Sequence, residues 1–157
     1  MTIENDIAFL QRIPILRALG TAALRILAIG AETSHVITGE VLFESGDVAD
    51  CAYIVRSGSL RLTSERPGEP DTVAEAGTLI GEPAMLAETV RTMTAIARED
   101  TVVVQISRAM FLRMLEGYPD AAHRLRNMIA ARTDAWTRDI ERVRAALAAG
   151  AAKNKPN

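Results

Sequence analysis

The chain has 157 residues, of which 48% are hydrophobic and 24% are charged, and its formal net charge is -2. This size and composition predict a single soluble globular domain, and a charge so close to zero disfavours direct binding to nucleic acid. No apolar run approaches the ~20 residues that span a bilayer, and the single cysteine, Cys51, excludes an internal disulfide. We therefore expect a cytoplasmic protein with no membrane partner.

The N-terminal block, residues 1–30, has apolar residues at helical spacing. Pro14 interrupts this pattern, and Thr21 is the expected N-cap of a second helix. The sequence therefore predicts helices at the entry to the domain.

Residues 31–107 change to short segments that are rich in Val, Ile, Leu and Thr and are separated by glycines. This pattern predicts a mainly β fold, in the form of an antiparallel sandwich or roll. The segment 101–106 is typical of a largely buried strand. Arg56-Ser57-Gly58-Ser59 is flanked by two strand-like segments and predicts a hairpin turn.

Residues 108–149 return to helical spacing. Ser107 is the expected N-cap of a first helix, and Pro119 suits the first turn of a longer helix that ends near Ala149. Residues 150–157 are expected to form a disordered tail.

The chemistry of the chain is concentrated in one segment, where Gly81-Glu82-Pro83-Ala84 is followed after six residues by Arg91-Thr92. Arginine matches phosphate oxygens through its planar fork of donors, and a carboxylate accepts a hydrogen bond from a sugar hydroxyl. Glycine lets backbone approach a ligand, and a helix that starts just after it, with Pro83 in its first position, directs N–H groups at an anion. The pattern indicates a ligand with one phosphate charge and one sugar hydroxyl.

This segment resembles the phosphate-binding cassette of cyclic nucleotide-binding domains, of the type found in the catabolite activator protein and the regulatory subunit of protein kinase A. Segments 39–47, 53–58 and 13–16 are similar to the family's strand, turn and entry-helix segments, so the resemblance covers roughly residues 5–145. It implies one domain over residues 1–149. In that domain an eight-stranded antiparallel double-stranded β-helix, a jelly-roll-like β-roll, lies between the two helical blocks.

The resemblance also implies roles for the cassette residues. Arg91 would pair with the phosphate, and Glu82 would hold the ribose 2′-hydroxyl. Gly81, Ala84 and Thr92 would add backbone or hydroxyl contacts.

Met93 departs from the family's pattern, which generally has alanine at this position. Its side chain would either point away from the ligand or narrow the pocket. Pro83 stands where the family often has leucine, and it suits the first turn of a helix.

In the family, the long C-terminal helix acts as a lid and often as a dimer seam. The resemblance places Arg132, Thr133, Trp136 and Thr137 near the base or the neighbouring subunit. Trp136 would stack on the base, pack on the helix seam, or do both. Arg132 would be solvated or would pair with Glu82.

Together these features predict a non-catalytic sensor that binds cAMP, or cGMP, and signals through movement of its C-terminal helix. The sequence contains no recognisable metal-ligand cluster or nucleophile motif, so we expect no enzyme activity, no catalytic residue, no metal and no cofactor besides the nucleotide. The expected partners are the cyclic nucleotide, a second copy through residues 119–149, and an unknown downstream protein.

Three alternatives stay open. The first is a degenerate domain that binds no nucleotide and serves as a dimerisation or protein-interaction module, which Met93 would favour. The second is the ligand-sensing part of a Crp/Fnr-type transcription regulator, although no DNA-binding module is expected after the long helix. The third is a family variant that senses haem or a small organic acid.

Overall fold

The structure of the protein, a computed structural model, describes residues 2–153, apart from the side chains of residues 133–137, 139 and 151–153. The N-terminal block contains three helices, which are α1 (Ile3–Gln11), α2 (Pro14–Arg17) and α3 (Thr21–Gly30). The predicted cap of α3 is wrong by one residue, because Gly20 occupies the N-cap position and Thr21 is already helical.

The middle block contains short strands and one turn of 3-10 helix at Glu82–Met85. The strands are β1 (Glu32–Val36), β2 (Val41–Phe43), β3 (Val48–Ala49), β4 (Cys51–Ser57), β5 (Ser59–Thr63), β6 (Thr72–Glu75), β7 (Leu79–Ile80), β8 (Thr89–Val90), β9 (Thr94–Ala97) and β10 (Thr101–Ser107). The described residues therefore form ten strands where eight were expected. Three of them have only two residues, which is too short for a sequence period to reveal.

The strands form two four-stranded sheets and one two-stranded sheet, and their pairing is antiparallel throughout. One four-stranded sheet has the order β1-β10-β4-β7, the other has the order β2-β9-β5-β6, and β3 pairs with β8. The prediction of a mainly β fold with antiparallel strands and flanking helices is confirmed.

The predicted hairpin at residues 56–59 is wrong. β4 pairs with β10 and β7, whereas β5 pairs with β6 and β9, so the chain passes from one sheet to the other at Gly58. A Cβ atom on Gly58 would lie 2.6 Å from the carbonyl oxygen of Asp100, and the residue has φ of +83°. The glycine correctly indicated a turn. The close approach of the backbone at Asp100, just before β10, decides which sheet the next strand joins.

The core consists of two clusters of buried apolar side chains. One cluster packs the N-terminal helices and α4 against β4 and β10, and it includes Leu16, Leu24, Leu27, Ile54, Ile106 and Phe111. The other lies within the β-roll and includes Val55, Leu60, Ala95 and Val103. Both clusters place β4 at the centre of the molecule, with Ile54 in the first cluster and Val55 in the second.

The C-terminal block contains α4 (Arg108–Gly117) and α5 (Pro119–Lys153). Ser107 caps α4 as predicted, because its hydroxyl accepts a hydrogen bond from the amide of Met110 at 3.1 Å. The first turns of α5 are anchored: Leu125 is buried, and Arg124 donates to the carbonyls of Ala18 and Leu19 at 2.8 and 2.7 Å.

Beyond residue 129, the side chains of α5 that the structure describes are exposed. The helix continues to Lys153, past the expected end at Ala149 and into the expected disordered tail, because alanines follow Gly150 and favour helix. Residues 154–157 lie outside the described part of the chain. Among the helices described, none combines the length and apolar character needed to cross a membrane.

Candidate functional site

A cavity of about 230 Å³ opens between the β-roll and the 3-10 helix. Its walls come from β2, β3, β5, β7, β8, the 3-10 helix and the turn before β9, and they consist of Phe43, Ala49, Leu62, Ile80, Gly81, Pro83, Ala84, Thr89, Val90, Arg91, Thr92 and Met93. Four of the predicted site residues therefore line one cavity: Gly81, Ala84, Arg91 and Thr92.

The 3-10 helix that forms one wall begins at Glu82, and Gly81, which has φ of +76°, is its N-cap. The amide of Ala84 donates to the carbonyl of Gly81 at 3.0 Å and closes the turn. Pro83 is the second residue of the helix, not the first as predicted. Ala84 and Met85 are buried and anchor the turn to the core.

Glycine is the only residue type that fits at position 81 without displacing the side chain of Arg91. A Cβ atom there would overlap Nη1 of Arg91. The backbone conformation is also left-handed, which costs other residues free energy. Glycine therefore lets the turn lie directly against the guanidinium.

Arg91 follows β8 directly and is only 7% exposed to solvent. Its Nη2 atom donates to the carbonyl oxygen of Cys51 at 2.7 Å and contacts the sulfur of Cys51 at 3.3 Å. Its guanidinium carbon lies 4.5 Å from the ring centroid of Phe43 and 5.4 Å from that of Tyr53. These contacts hold the guanidinium in one orientation.

The other terminal nitrogen of Arg91, Nη1, is buried and has no hydrogen-bond partner among the described residues. Leaving a buried charged donor unpaired costs about 1–3 kcal/mol or more. Burial raises the pKa of the Tyr53 phenol, and Cys51 raises it further, so this neighbour stays neutral and supplies no counter-charge at neutral pH. The site therefore offers an unmatched cation that suits an anionic ligand.

Met93 is half-buried and belongs to the cavity wall. Thr92 is exposed and belongs to the same wall.

Glu82 contacts the C-terminal helix. Its Oε1 atom accepts a hydrogen bond from Nη1 of Arg132 at 2.8 Å, and the two side chains are 31% and 56% exposed. Of the two roles considered for Arg132, the structure shows the ion pair with Glu82. Thr133, Trp136 and Thr137 belong to α5, but their side chains lie outside the described residues.

Sequence reasoning missed the residues that support Arg91. Cys51 is a buried residue of β4, but its contact with an arginine 40 positions away carries no local signal. The same holds for Phe43 and Tyr53, whose stacked rings have centroids 5.9 Å apart. In the part of the chain that the structure describes, no group of three or more His, Cys, Asp or Glu side chains is placed to hold a metal ion.

A model of the cyclic nucleotide-binding domain family matches residues 34–118, which is more than half of the chain. The chain therefore belongs to the cyclic nucleotide-binding domain family. The matched segment contains the β-roll from β1 onward, the cavity and α4.

Three relatives illustrate the similarity. A cyclic nucleotide-binding-like protein from Brucella abortus is 36% identical, with a TM-score of 0.64, and the match covers 71% of this chain and 98% of that one. The cyclic AMP receptor protein of Thermus thermophilus is 34% identical over 97 residues, which is 60% of this chain and 45% of the receptor. Lysophospholipase nte1 of Neurospora crassa is 34% identical over 115 residues, but the match spans only 8% of that enzyme's length.

Proposed function

We propose that the protein binds a cyclic nucleotide monophosphate, with cAMP the first candidate and cGMP the second, and acts as a non-catalytic regulatory module. The observation that carries the proposal is the buried Nη1 atom of Arg91, which belongs to a residue of the cavity wall and has no hydrogen-bond partner among the described residues. A cyclic phosphodiester has one negative charge and two exocyclic oxygens, so it supplies the missing acceptor. The similarity to a protein named for cyclic AMP favours cAMP.

In this proposal the phosphate lies against Arg91, Gly81 and Thr92. Glu82 keeps Oε1 on Arg132 and presents its second carboxylate oxygen to the ribose 2′-hydroxyl. Because the amide of Ala84 already donates to Gly81, a contact from it to the phosphate requires the 3-10 turn to change. The cassette is thus expected to rearrange as it closes on the ligand.

The base would lie toward α5, near the side chains of Thr133, Trp136 and Thr137. The ion pair between Glu82 and Arg132 supports this arrangement, because it brings α5 to the edge of the cassette. The proposed output is a change in the position of α5. Such a signal requires that the nucleotide bind one helix position more tightly than another.

Titration calorimetry with cAMP and cGMP tests the proposal. We expect binding with a thermal stabilisation that grows with ligand concentration, about 2.7 kcal/mol at 100 times the dissociation constant. AMP is the matched ligand control, because it keeps the base and sugar but lacks the cyclic phosphodiester. No heat and no thermal shift at millimolar cAMP or cGMP would exclude the proposal and favour the alternative of a domain that binds no nucleotide.

Replacing Arg132 with alanine is expected to weaken cAMP binding by about 2–10-fold, because Glu82 loses the contact that orients it. The stability of the free protein should hardly change, since an exposed ion pair contributes about 0–1 kcal/mol. Calorimetry and thermal melting measure the two effects separately. Arg126→Ala, at an exposed position on the same helix, is the control and should change neither. Unchanged affinity in Arg132→Ala would show that α5 is not coupled to the ligand through this pair.

We further propose that α5 mediates a homodimer within residues 119–149. Ile140, Val143 and Leu147 follow one another at spacings of three and four residues, so they share one helix face. They are 38%, 58% and 69% exposed. An apolar helix face of this kind is typical of a helix-pairing surface.

Val143→Glu is expected to convert the dimer to a monomer, because it places a charge in the centre of the apolar face. Light scattering over a range of protein concentrations measures the change. Ala145→Glu introduces the same charge at an exposed position on the other side of the helix, and it should leave the dimer intact. A wild-type protein that stays monomeric at all concentrations would contradict the proposal.

A further inference from the structure

Three consecutive carbonyl groups, from the end of β3 to the start of β4, accept hydrogen bonds from two arginines. The carbonyl of Cys51 accepts from Nη2 of Arg91 at 2.7 Å. The carbonyl of Asp50 accepts from the backbone amide of Arg108 at 2.8 Å, and that of Ala49 accepts from Nη1 of Arg108 at 3.2 Å. Arg91, which lines the cavity, and Arg108, which is the first residue of α4, therefore donate hydrogen bonds to the carbonyls of adjacent residues.

The side chain of Arg108 also reaches the segment that follows the 3-10 helix. Its Nη1 atom donates to the carbonyl of Ala87 at 3.0 Å, in addition to its bond with Ala49. Nη1 has two N–H groups, so it can satisfy both carbonyls at once. The guanidinium group of Arg108 thus connects β3 and the segment after the 3-10 helix to the start of α4.

A displacement of α4 would be passed on to α5. Phe111 and Met114 of α4 are buried in the same cluster as Ala121 and Leu125 of α5. Only Tyr118 separates the two helices in the chain, and its amide donates to carbonyls in the last turn of α4. Closely packed helices with so short a connection move together more readily than they slide apart.

We propose that Arg108 is a positioning residue that couples the phosphate side of the cavity to α4 and α5. The inference rests on the proposed function, because it describes how nucleotide bound at Arg91 reaches the C-terminal helices. Closure of the cassette moves the segment at Ala87, and the guanidinium of Arg108 transmits that movement to the first turn of α4. The backbone bond from Arg108 to Asp50 remains in any side-chain variant, so the side chain can be tested without detaching α4 from β4.

Hydrogen exchange measured by mass spectrometry, with and without cAMP, tests the proposal on Arg108→Met. Methionine keeps an apolar stem but has no donor for Ala49 or Ala87. In the wild type, cAMP should slow exchange both in the cassette, residues 81–92, and in the helical segment 108–125. In the variant the slowing should persist in the cassette and be lost in the helical segment, with cAMP affinity changed by less than about threefold.

Arg113→Met is the matched control, because Arg113 is exposed on the same helix. It should keep the full response of residues 108–125. If thermal melting shows that Arg108→Met does not fold, Arg108→Gln is measured instead and interpreted in the same way, since its shorter side chain cannot bridge both carbonyls.

The outcomes separate the coupling from the binding. If wild-type protein binds no cyclic nucleotide, the proposed function fails and the coupling fails with it. If wild type binds but Arg108→Met keeps the slowing in residues 108–125, the coupling is overturned and the binding stands. A loss of affinity greater than about threefold in Arg108→Met would also overturn it, because Arg108 would then be holding the pocket itself.

Discussion

Arg91→Met is expected to weaken cyclic nucleotide binding by roughly 10–100-fold, because it removes a charge-assisted contact worth about 1.5–3 kcal/mol. The guanidinium has already lost most of its hydration, and its Nη1 atom has no acceptor among the described residues. The phosphate would therefore meet a donor that needs no further desolvation. Calorimetry on the wild type and the variant measures the difference.

The same substitution should leave the free protein close to wild-type stability. Methionine should keep contact with the rings of Phe43 and Tyr53. It also removes a buried donor that has no partner among the described residues, which offsets the lost bonds to Cys51. Thermal melting without ligand checks this expectation. Arg61→Met is the control, because Arg61 is exposed on β5 and should affect neither property. Equal cAMP affinity in Arg91→Met and wild type would place the ligand elsewhere.

Gly81→Ala is expected to impair both folding and binding. A non-glycine residue in the left-handed conformation costs about 1–2 kcal/mol, which lowers the melting temperature by about 2–8 °C in a chain of this size. The added Cβ atom would also overlap Nη1 of Arg91, so the guanidinium must leave its position beneath the cassette. We expect the loss of affinity to be comparable to that of Arg91→Met.

Gly39→Ala separates the two effects of the Gly81 substitution. Gly39 has a similar φ of +86°, but a Cβ atom there would have no neighbour within 4 Å. This control should therefore lose stability and keep nucleotide affinity. If Gly81→Ala loses stability and still binds with wild-type affinity, the close approach of Gly81 to Arg91 has no role in binding.

The fold class could be predicted because it depends on local patterns. Short β-branched segments separated by glycines occupy residues 31–107, and helical spacing occupies both flanks. Those patterns do not specify which strands pair with each other. Gly58 signalled a turn, but the approach of Asp100 directs β5 into the second sheet, so the predicted hairpin was wrong.

The cassette could also be predicted, because its glycine, acid and arginine lie within one short segment. The contacts that hold Arg91 in place could not be predicted. Cys51, Phe43 and Tyr53 contact Arg91 from positions that are remote in the chain, and nothing in their neighbouring residues distinguishes them from ordinary core residues. The ion pair of Glu82 with Arg132 was one of two possibilities, and only the position of α5 selects it.

The sequence by itself determined the order of helices and strands and the chemistry of the cassette, because both depend on residues that lie a few positions apart in the chain. The tertiary structure decided that Arg91 is buried, with Nη2 bound to a carbonyl and Nη1 left without a partner among the described residues. It also decided that Arg108 joins the cassette to α4. These features depend on which distant carbonyls and rings pack against each guanidinium. Packing of that kind is a property of the assembled core, so no local period or spacing can specify it.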